Sequence, residues 1–186
     1  MIDLALGVVP WFVPGVVLST ALALLICRPV GRRLGIRAPL VWVILVAVGS
    51  ILSATLLPLR GAVDFEAVGS GSCDLSRIGL ASVEELLRFD DTSLNVALFI
   101  PLGMTLGLVR ARRPRAGLIL AAAALPFAIE GIQLVAPILA RGCQSADVFD
   151  NLTGLVIGLI IGTTARVLGG SLDRRVGTEY APEDNA

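Results

Sequence analysis

The sequence predicts an all-α protein, a polytopic transmembrane helix bundle of about five spans. Hydrophobic residues make up 55% of the 186 residues and charged residues only 16%, a balance that a soluble domain of this size could not bury. Five apolar runs approach the ~20 residues that a membrane-spanning helix needs. The loops between these runs alternate between basic and acidic character, as they do in multi-pass membrane proteins.

The predicted spans cover residues 5–27, 39–58, 92–109, 116–136 and 147–168. The first three carry no charge, and the fourth carries only Glu130. The fifth is the weakest, because it reaches spanning length only if it starts near Asp147 and continues to Leu168. Residues 1–172 form a single membrane domain in this interpretation, and residues 173–186 form a disordered cytoplasmic tail.

Loop charge predicts the orientation. The loops Arg28–Arg37 and Arg110–Arg115 each contain four arginines and no acidic residue, whereas Arg60–Asp91 contains three arginines and seven acidic residues. Because short cytoplasmic loops are enriched in basic residues, the amino terminus is predicted outside and the carboxyl terminus in the cytoplasm. No basic residue precedes the first apolar run, so we expect a retained anchor rather than a cleaved signal.

The long outer loop is predicted to contain one short amphipathic helix near the membrane surface. Ser82 and Glu85 have the spacing of a helix capping box, which predicts a helix to about Phe89. The segment Asp90-Asp91-Thr92 is typical of the start of the third span. Gly69–Gly71 is predicted to be a flexible turn.

Polar side chains gather near the predicted outer ends of the spans. Glu130 lies about fourteen residues, or roughly 21 Å, from the inner end of its helix. A carboxylate inside the membrane is costly, so Glu130 is expected to face the bundle, and Arg141 is its nearest candidate partner in sequence. The candidate pocket residues are Asn95, Glu130, Gln133, Arg141, Asp147 and Asn151.

Two interpretations of this cluster stay open, and both can be true. The side chains can bond to one another and hold the helices together. They can also line a pocket, open to the outside, that binds a head group or a peptidoglycan-related molecule. A proton path or transport path is less favoured, because the inner halves of the helices are apolar.

Glycines recur at four-residue spacing on two spans, at Gly103 and Gly107 and at Gly154, Gly158 and Gly162. Small residues at this spacing let helices approach closely in lipid. The pattern favours packing of spans three and five within one chain over a homodimer interface, and the oligomeric state is left open.

Cysteine positions predict one disulfide. Cys73 and Cys143 fall in outer loops and Cys27 at the inner end of the first span. We expect Cys73 and Cys143 to be bridged, with free thiols as the alternative. The absence of histidine argues against a metal, and we expect no metal, no cofactor and no catalytic residue set of a standard kind. No basic run interleaved with aromatics indicates nucleic-acid binding.

Two blocks of sequence resemble the VanZ-like family. The segment Asn95–Gly103 is similar to its "N…F-P-L-G" signature, and a second block follows the family order "E…Q…R…D…N…G…G". The resemblance runs from roughly Asp91 to Gly162, while the first two spans carry no such motif. Residues of the second block are Glu130, Gln133, Arg141, Asp147, Asn151, Gly154 and Gly158.

The resemblance implies a bacterial cell-envelope protein related to one that gives low-level resistance to the glycopeptide antibiotic teicoplanin. The leading hypothesis is a non-enzymatic protein that binds a lipid, a cell-wall precursor or a lipophilic glycopeptide at an outer-leaflet pocket. The alternative is a membrane enzyme on a lipid-linked envelope substrate, with Glu130 or Asp147 as general acid or base. A third hypothesis is a structural partner of another membrane protein.

Overall fold

A computed structural model describes residues 11–58, 72–88, 90–139 and 141–179. Within these residues, five helices are long and apolar enough to cross a membrane, and the only sheet is a two-residue ladder. The prediction of an all-α transmembrane helix bundle is therefore confirmed.

The described residues form six helices, one 3₁₀ turn and two short strands. In chain order they are α1 (Phe12–Leu34), α2 (Ala38–Thr55), β1 (Cys73–Asp74), α3 (Val83–Leu87), α4 (Asp91–Leu108), α5 (Arg112–Val135), a 3₁₀ turn (Pro137–Leu139), β2 (Cys143–Gln144) and α6 (Ser145–Glu179).

Helix α1 continues past the end predicted for the first span at residue 27. It takes in Arg28, Arg32 and Arg33 and ends at Leu34. Gly35 follows with a φ of 64°, a left-handed conformation that lets the Ile36 amide donate to the Gly31 carbonyl at 2.9 Å. Arginine is a good helix former, so a basic segment next to the membrane need not be a loop. The predicted start, residues 5–10, lies outside the described residues.

Helix α6 is also longer than the fifth predicted span. It runs from Ser145 to Glu179, beyond Leu168 and into the segment 173–186 that was predicted as a tail. No proline occurs between Pro137 and Pro182, so this stretch lacks the residue that most strongly disrupts the interior of a helix. Residues 180–186 lie outside the described part of the chain.

Two capping boxes fix the residues at which α3 and α4 begin. The Ser82 hydroxyl accepts a bond from the Glu85 amide at 3.3 Å, and the Glu85 carboxylate accepts one from the Ser82 amide at 2.7 Å. This is the predicted capping box, and it starts α3. Asp90 and Ser93 form a second capping box at the start of α4. The predicted helix end at Phe89 and the predicted turn at Gly69–Gly71 fall on residues outside the described ranges.

Helices α4 and α6 pack backbone against backbone. A β-carbon added to Gly154, Gly158 or Gly162 would collide with a carbonyl oxygen of α4, at Val96, Ile100 and Met104 respectively. In the other direction, a β-carbon on Gly107 would lie 2.7 Å from the Thr163 amide nitrogen, and one on Gly103 would collide with the Leu155 carbonyl. The glycine pattern therefore serves packing within one chain, the arrangement that the sequence favoured.

The core lies between α2, α4, α5 and α6, with Phe99 and Ile51 fully buried at its centre. Helix α1 packs on α2 and leaves large apolar side chains exposed, among them Val17 and Leu25, as expected of a helix in contact with lipid.

The bundle has two chemically different ends. The end that holds β1, α3, β2 and the first turns of α4 and α6 is called here the disulfide end. The end formed by residues 35–37, residues 109–111 and Arg166 is called the arginine end.

Candidate functional site

A disulfide and a short parallel ladder tie the outer loop segment to the start of α6. Cys73 pairs with Cys143 and Asp74 with Gln144, and the Cα atoms of the two cysteines lie 4.6 Å apart. The predicted bridge between Cys73 and Cys143 is present in the structure. Cys27 is buried in α1 as a free thiol.

A buried ion pair fixes the same loop segment on α6. Arg77 donates two hydrogen bonds to Asp150, from Nη1 at 3.0 Å and from Nη2 at 2.5 Å. Asp150 is fully buried, and its hydrogen bonds raise the pKa of Arg77 above its ordinary value. Ser145 adds a bond from its hydroxyl to the Arg77 carbonyl at 2.8 Å.

Sequence reasoning missed Arg77, which is 73 residues from its partner. The one signal was compositional: Arg77 is one of three arginines in a loop with seven acidic residues, and acidic residues also stand at the start of the fifth span.

Glu130 does not pair with Arg141, contrary to the sequence-based expectation. Its side chain is buried, and Oε2 accepts a hydrogen bond from the backbone amide of Gln144 at 2.7 Å. The physical reason is the ladder, which holds β2 over the end of α5 and so presents the Gln144 amide to the carboxylate. Among the residues that the structure describes, Glu130 is in no ion pair within 4 Å.

Arg141 is consequently left with unused donors. Its Nε and Nη2 atoms are buried and have no hydrogen-bond partner in the described structure. Burial lowers the pKa of Arg141, while the nearby carboxylates of Asp147, Asp91 and Glu130 act in the opposite direction. Nε and Nη2 form one edge of the guanidinium, the fork that binds a carboxylate or phosphate with two parallel hydrogen bonds.

The remaining predicted pocket residues divide between two surroundings. Asn95 donates to Asp147 at 2.8 Å and joins α4 to α6. Asn151 is buried one turn after Asp147, and its Oδ1 atom has no hydrogen-bond partner among the residues that the structure describes. Gln133 instead donates to the carbonyl of Thr55 at 3.0 Å, so it holds α5 against α2.

A mostly apolar cavity of ≈ 300 Å³, called here the lateral groove, opens beside Glu130 between α5 and α6. The Cys73–Cys143 disulfide closes one side of it. Its lining comprises Cys73, Leu75, Phe127, Glu130, Gly131, Leu134, Cys143, Gln144, Ser145, Val148 and Phe149. In the described residues, no three Cys, Asp or Glu side chains are grouped so that they could hold a metal ion.

The model of the VanZ/LLP1 family matches residues 40–166, which is more than half of the chain. The chain belongs to the VanZ/LLP1 family. The match takes in α2 from Leu40 onward, both sequence blocks and the glycine contact between α4 and α6, so the VanZ/LLP1 region contains the whole disulfide end. It excludes α1, which precedes residue 40. No curated protein and no solved structure matches this VanZ/LLP1 chain.

Proposed function

We propose that this VanZ/LLP1 protein binds an amphiphilic molecule of the cell envelope at the disulfide end. Arg141 binds the anionic group of this molecule, and the lateral groove takes its apolar part. The observation that supports the proposal most is the buried, unpartnered Nε–Nη2 edge of Arg141. A guanidinium without partners in a buried site is costly, and an anion that supplies two acceptors removes that cost.

The place of Arg141 in the chain, next to residues of the groove but not itself in the lining, supports an amphiphile rather than a small anion. Arg141 precedes Cys143 and Gln144 by only two and three residues, and both of these line the groove. Five large apolar side chains line the same groove: Leu75, Phe127, Leu134, Val148 and Phe149. Envelope lipids, lipid-linked cell-wall precursors and lipophilic glycopeptides all join a phosphate or carboxylate to an apolar chain.

Membership of the VanZ/LLP1 family is the support for a role in resistance to teicoplanin-type antibiotics. The same proposal places the disulfide end outside the cell, because disulfides persist in oxidising compartments. The arginine end then faces the cytoplasm, in agreement with the positive-inside rule.

Binding by purified protein in nanodiscs tests the proposal, with a polyprenyl phosphate and teicoplanin as the two probes. Arg141→Gln should weaken binding of at least one probe tenfold or more and leave the melting temperature nearly unchanged. Arg141→Lys should recover only part of the affinity, because an ammonium cannot make the bidentate contact. Arg88→Gln is the matched control, since Arg88 is an exposed arginine at the same end. Equal affinity of the wild type and Arg141→Gln for both probes would overturn the proposal.

An enzyme on a lipid-linked substrate is the competing function, and one observation favours it. Glu130 lines the groove and its carboxylate is held by one neutral donor, so it could act as a general acid or base. Mass spectrometry of the polyprenyl phosphate and its diphosphate after incubation with the protein separates the two functions. Unchanged probes support binding alone, whereas a product lost on Glu130→Gln supports the enzyme.

A further inference from the structure

A second cavity lies at the arginine end, on the far side of the bundle from the disulfide. Its volume is ≈ 490 Å³, larger than that of the lateral groove. It is bounded by the α1–α2 connection, the α4–α5 connection and the later part of α6. Its lining comprises Gly35, Ile36, Arg37, Pro39, Leu40, Leu108, Val109, Arg110, Ala111, Ala165, Arg166 and Gly169.

The charged residues of this lining all carry the same sign. Arg37, Arg110 and Arg166 come from three different parts of the chain, and no acidic residue is among the described residues that line the cavity. Among the side chains that the structure describes, which end at Gly169, the ion pairs involve Arg77 and Arg88 at the other end, and none involves Arg37, Arg110 or Arg166. Three positive charges around one cavity add up to a positive electrostatic potential, which attracts an anion.

Arg166 contributes a buried hydrogen-bond donor that lacks an acceptor in the described structure. Its Nη1 atom donates to the carbonyl of Val109 at 3.2 Å, and both residues line the cavity. Its Nε atom is buried and has no hydrogen-bond partner within the described structure. A buried donor of this kind costs free energy unless a ligand or a water accepts from it.

The rest of the lining is apolar and lies where the spans end. Ile36, Leu40, Leu108 and Val109 line the cavity beside the arginines, at the ends of α2 and α4. The ends of a membrane-spanning helix lie at the level of the lipid head groups. A cavity that combines cations and apolar side chains at this level matches a phosphate joined to the start of an acyl chain.

We propose that this cavity binds the phosphodiester head group of an anionic membrane lipid, with Arg37, Arg110 and Arg166 as its ligands. Basic pockets between helices at one membrane face bind such head groups by charge and hydrogen bonding together. The site is separate from the one at the disulfide end and does not depend on the function proposed for it.

Native mass spectrometry and nanodisc binding test this proposal with phosphatidylglycerol as the probe and phosphatidylcholine as the neutral reference. The triple variant Arg37→Gln, Arg110→Gln, Arg166→Gln should bind phosphatidylglycerol at least tenfold more weakly than the wild type. The matched control is Arg32→Gln, Arg33→Gln, Arg113→Gln, which removes the same charge from exposed positions near the same end but outside the lining. The control triple should keep its affinity within about twofold.

Three outcomes would overturn the lipid site. The first is an equal loss of affinity in both triple variants, which would show attraction to the membrane face as a whole. The second is no preference of the wild type for phosphatidylglycerol over phosphatidylcholine. The third is displacement of the lipid by millimolar inorganic phosphate, which would make the site one for free phosphate. Should the triple variant not fold, Arg37→Gln and Arg110→Gln as single variants decide the matter, since both residues are exposed and outside the core.

Discussion

Among single residues, the carboxylates of the disulfide end differ in what holds their charge. Asp150 meets the guanidinium of Arg77 with both oxygens, whereas Asp147 accepts from the amide of Asn95 and Glu130 from one backbone amide. A carboxylate that faces a full opposite charge is already neutralised by the protein. Glu130 and Asp147 accept hydrogen bonds from neutral donors, and neither is in an ion pair with any side chain that the structure describes.

The ion pair of Arg77 and Asp150 should respond unequally to loss of either partner. Arg77→Met leaves the buried Asp150 without a cation, and we expect the free energy of unfolding to fall by ~3–5 kcal/mol. Asp150→Asn should cost less, because the Arg77 side chain is 26% exposed and can turn towards solvent. Thermal unfolding in detergent measures both, with the exposed Arg88→Met as control at ~0–1 kcal/mol. Equal losses for the two variants would contradict this account.

Glu130 and Arg141 should show little energetic coupling, because the structure contains no ion pair between them. Glu130→Ala leaves the Gln144 amide without its acceptor and should cost ~1–3 kcal/mol, whereas Glu130→Gln keeps an acceptor and should cost less. A double-mutant cycle of Glu130→Gln with Arg141→Gln measures the coupling in stability. A coupling energy above ~1.5 kcal/mol would restore the original hypothesis of a direct pair.

Among the elements, the contact between α4 and α6 depends on the absence of side-chain atoms. Gly154→Ala places a methyl group against the Val96 carbonyl, which is backbone and cannot rotate away. We expect a loss of ~1–3 kcal/mol in stability from this overpacking. Gly117→Ala on α5 is the matched control, because no atom lies within 4 Å of its added β-carbon. That change should be neutral or stabilise by up to ~1 kcal/mol, since alanine is the better helix former. Melting temperatures that fall equally in both would remove the packing explanation.

Helix α3 should lose order in acid. Hydrogen bonds from the backbone and side chain of Ser82 lower the pKa of Glu85 below its ordinary value of 4.5. A lowered folded-state pKa contributes stability above pH 4.5, and this contribution disappears as the pH falls through the folded-state pKa. Hydrogen exchange at the Leu86 amide, which bonds to the Ser82 carbonyl, should therefore become less protected on acidification. Glu85→Gln should abolish this dependence, and a pH response that persists in the variant would have another origin.

The parts of the fold that sequence could predict are those that depend on nearby residues. Runs of apolar residues predicted the spans, and Ser82 and Glu85 predicted α3. The spacing of the glycines predicted that α4 packs on α6. Contacts that depend on the ladder could not be predicted in this way. The Gln144 amide carries no side-chain signal at all, and Arg77 reaches Asp150 only once the loop is folded onto α6.

At the scale of the whole molecule, the orientation in the membrane is a prediction of its own. A reporter active only after export, fused to the carboxyl terminus, should give no signal if that terminus is cytoplasmic. The same reporter inserted after Asp74, near the disulfide, should be active. A strong signal from the carboxyl-terminal fusion would reverse the orientation and place the arginine cavity outside.

The disulfide also changes the covalent connectivity of the bundle. The chain leaves Cys73, passes through α3, α4 and α5, and returns after 70 residues to Cys143, which closes a ring. A cut between α4 and α5 would therefore leave α2 and α4 attached to α5 and α6, whereas a cut between α1 and α2 would release α1. A protease acting on the α4–α5 connection would produce two fragments that migrate as one species until a reductant is added. Every helix that contributes to the disulfide end would remain part of a single molecule after that cut.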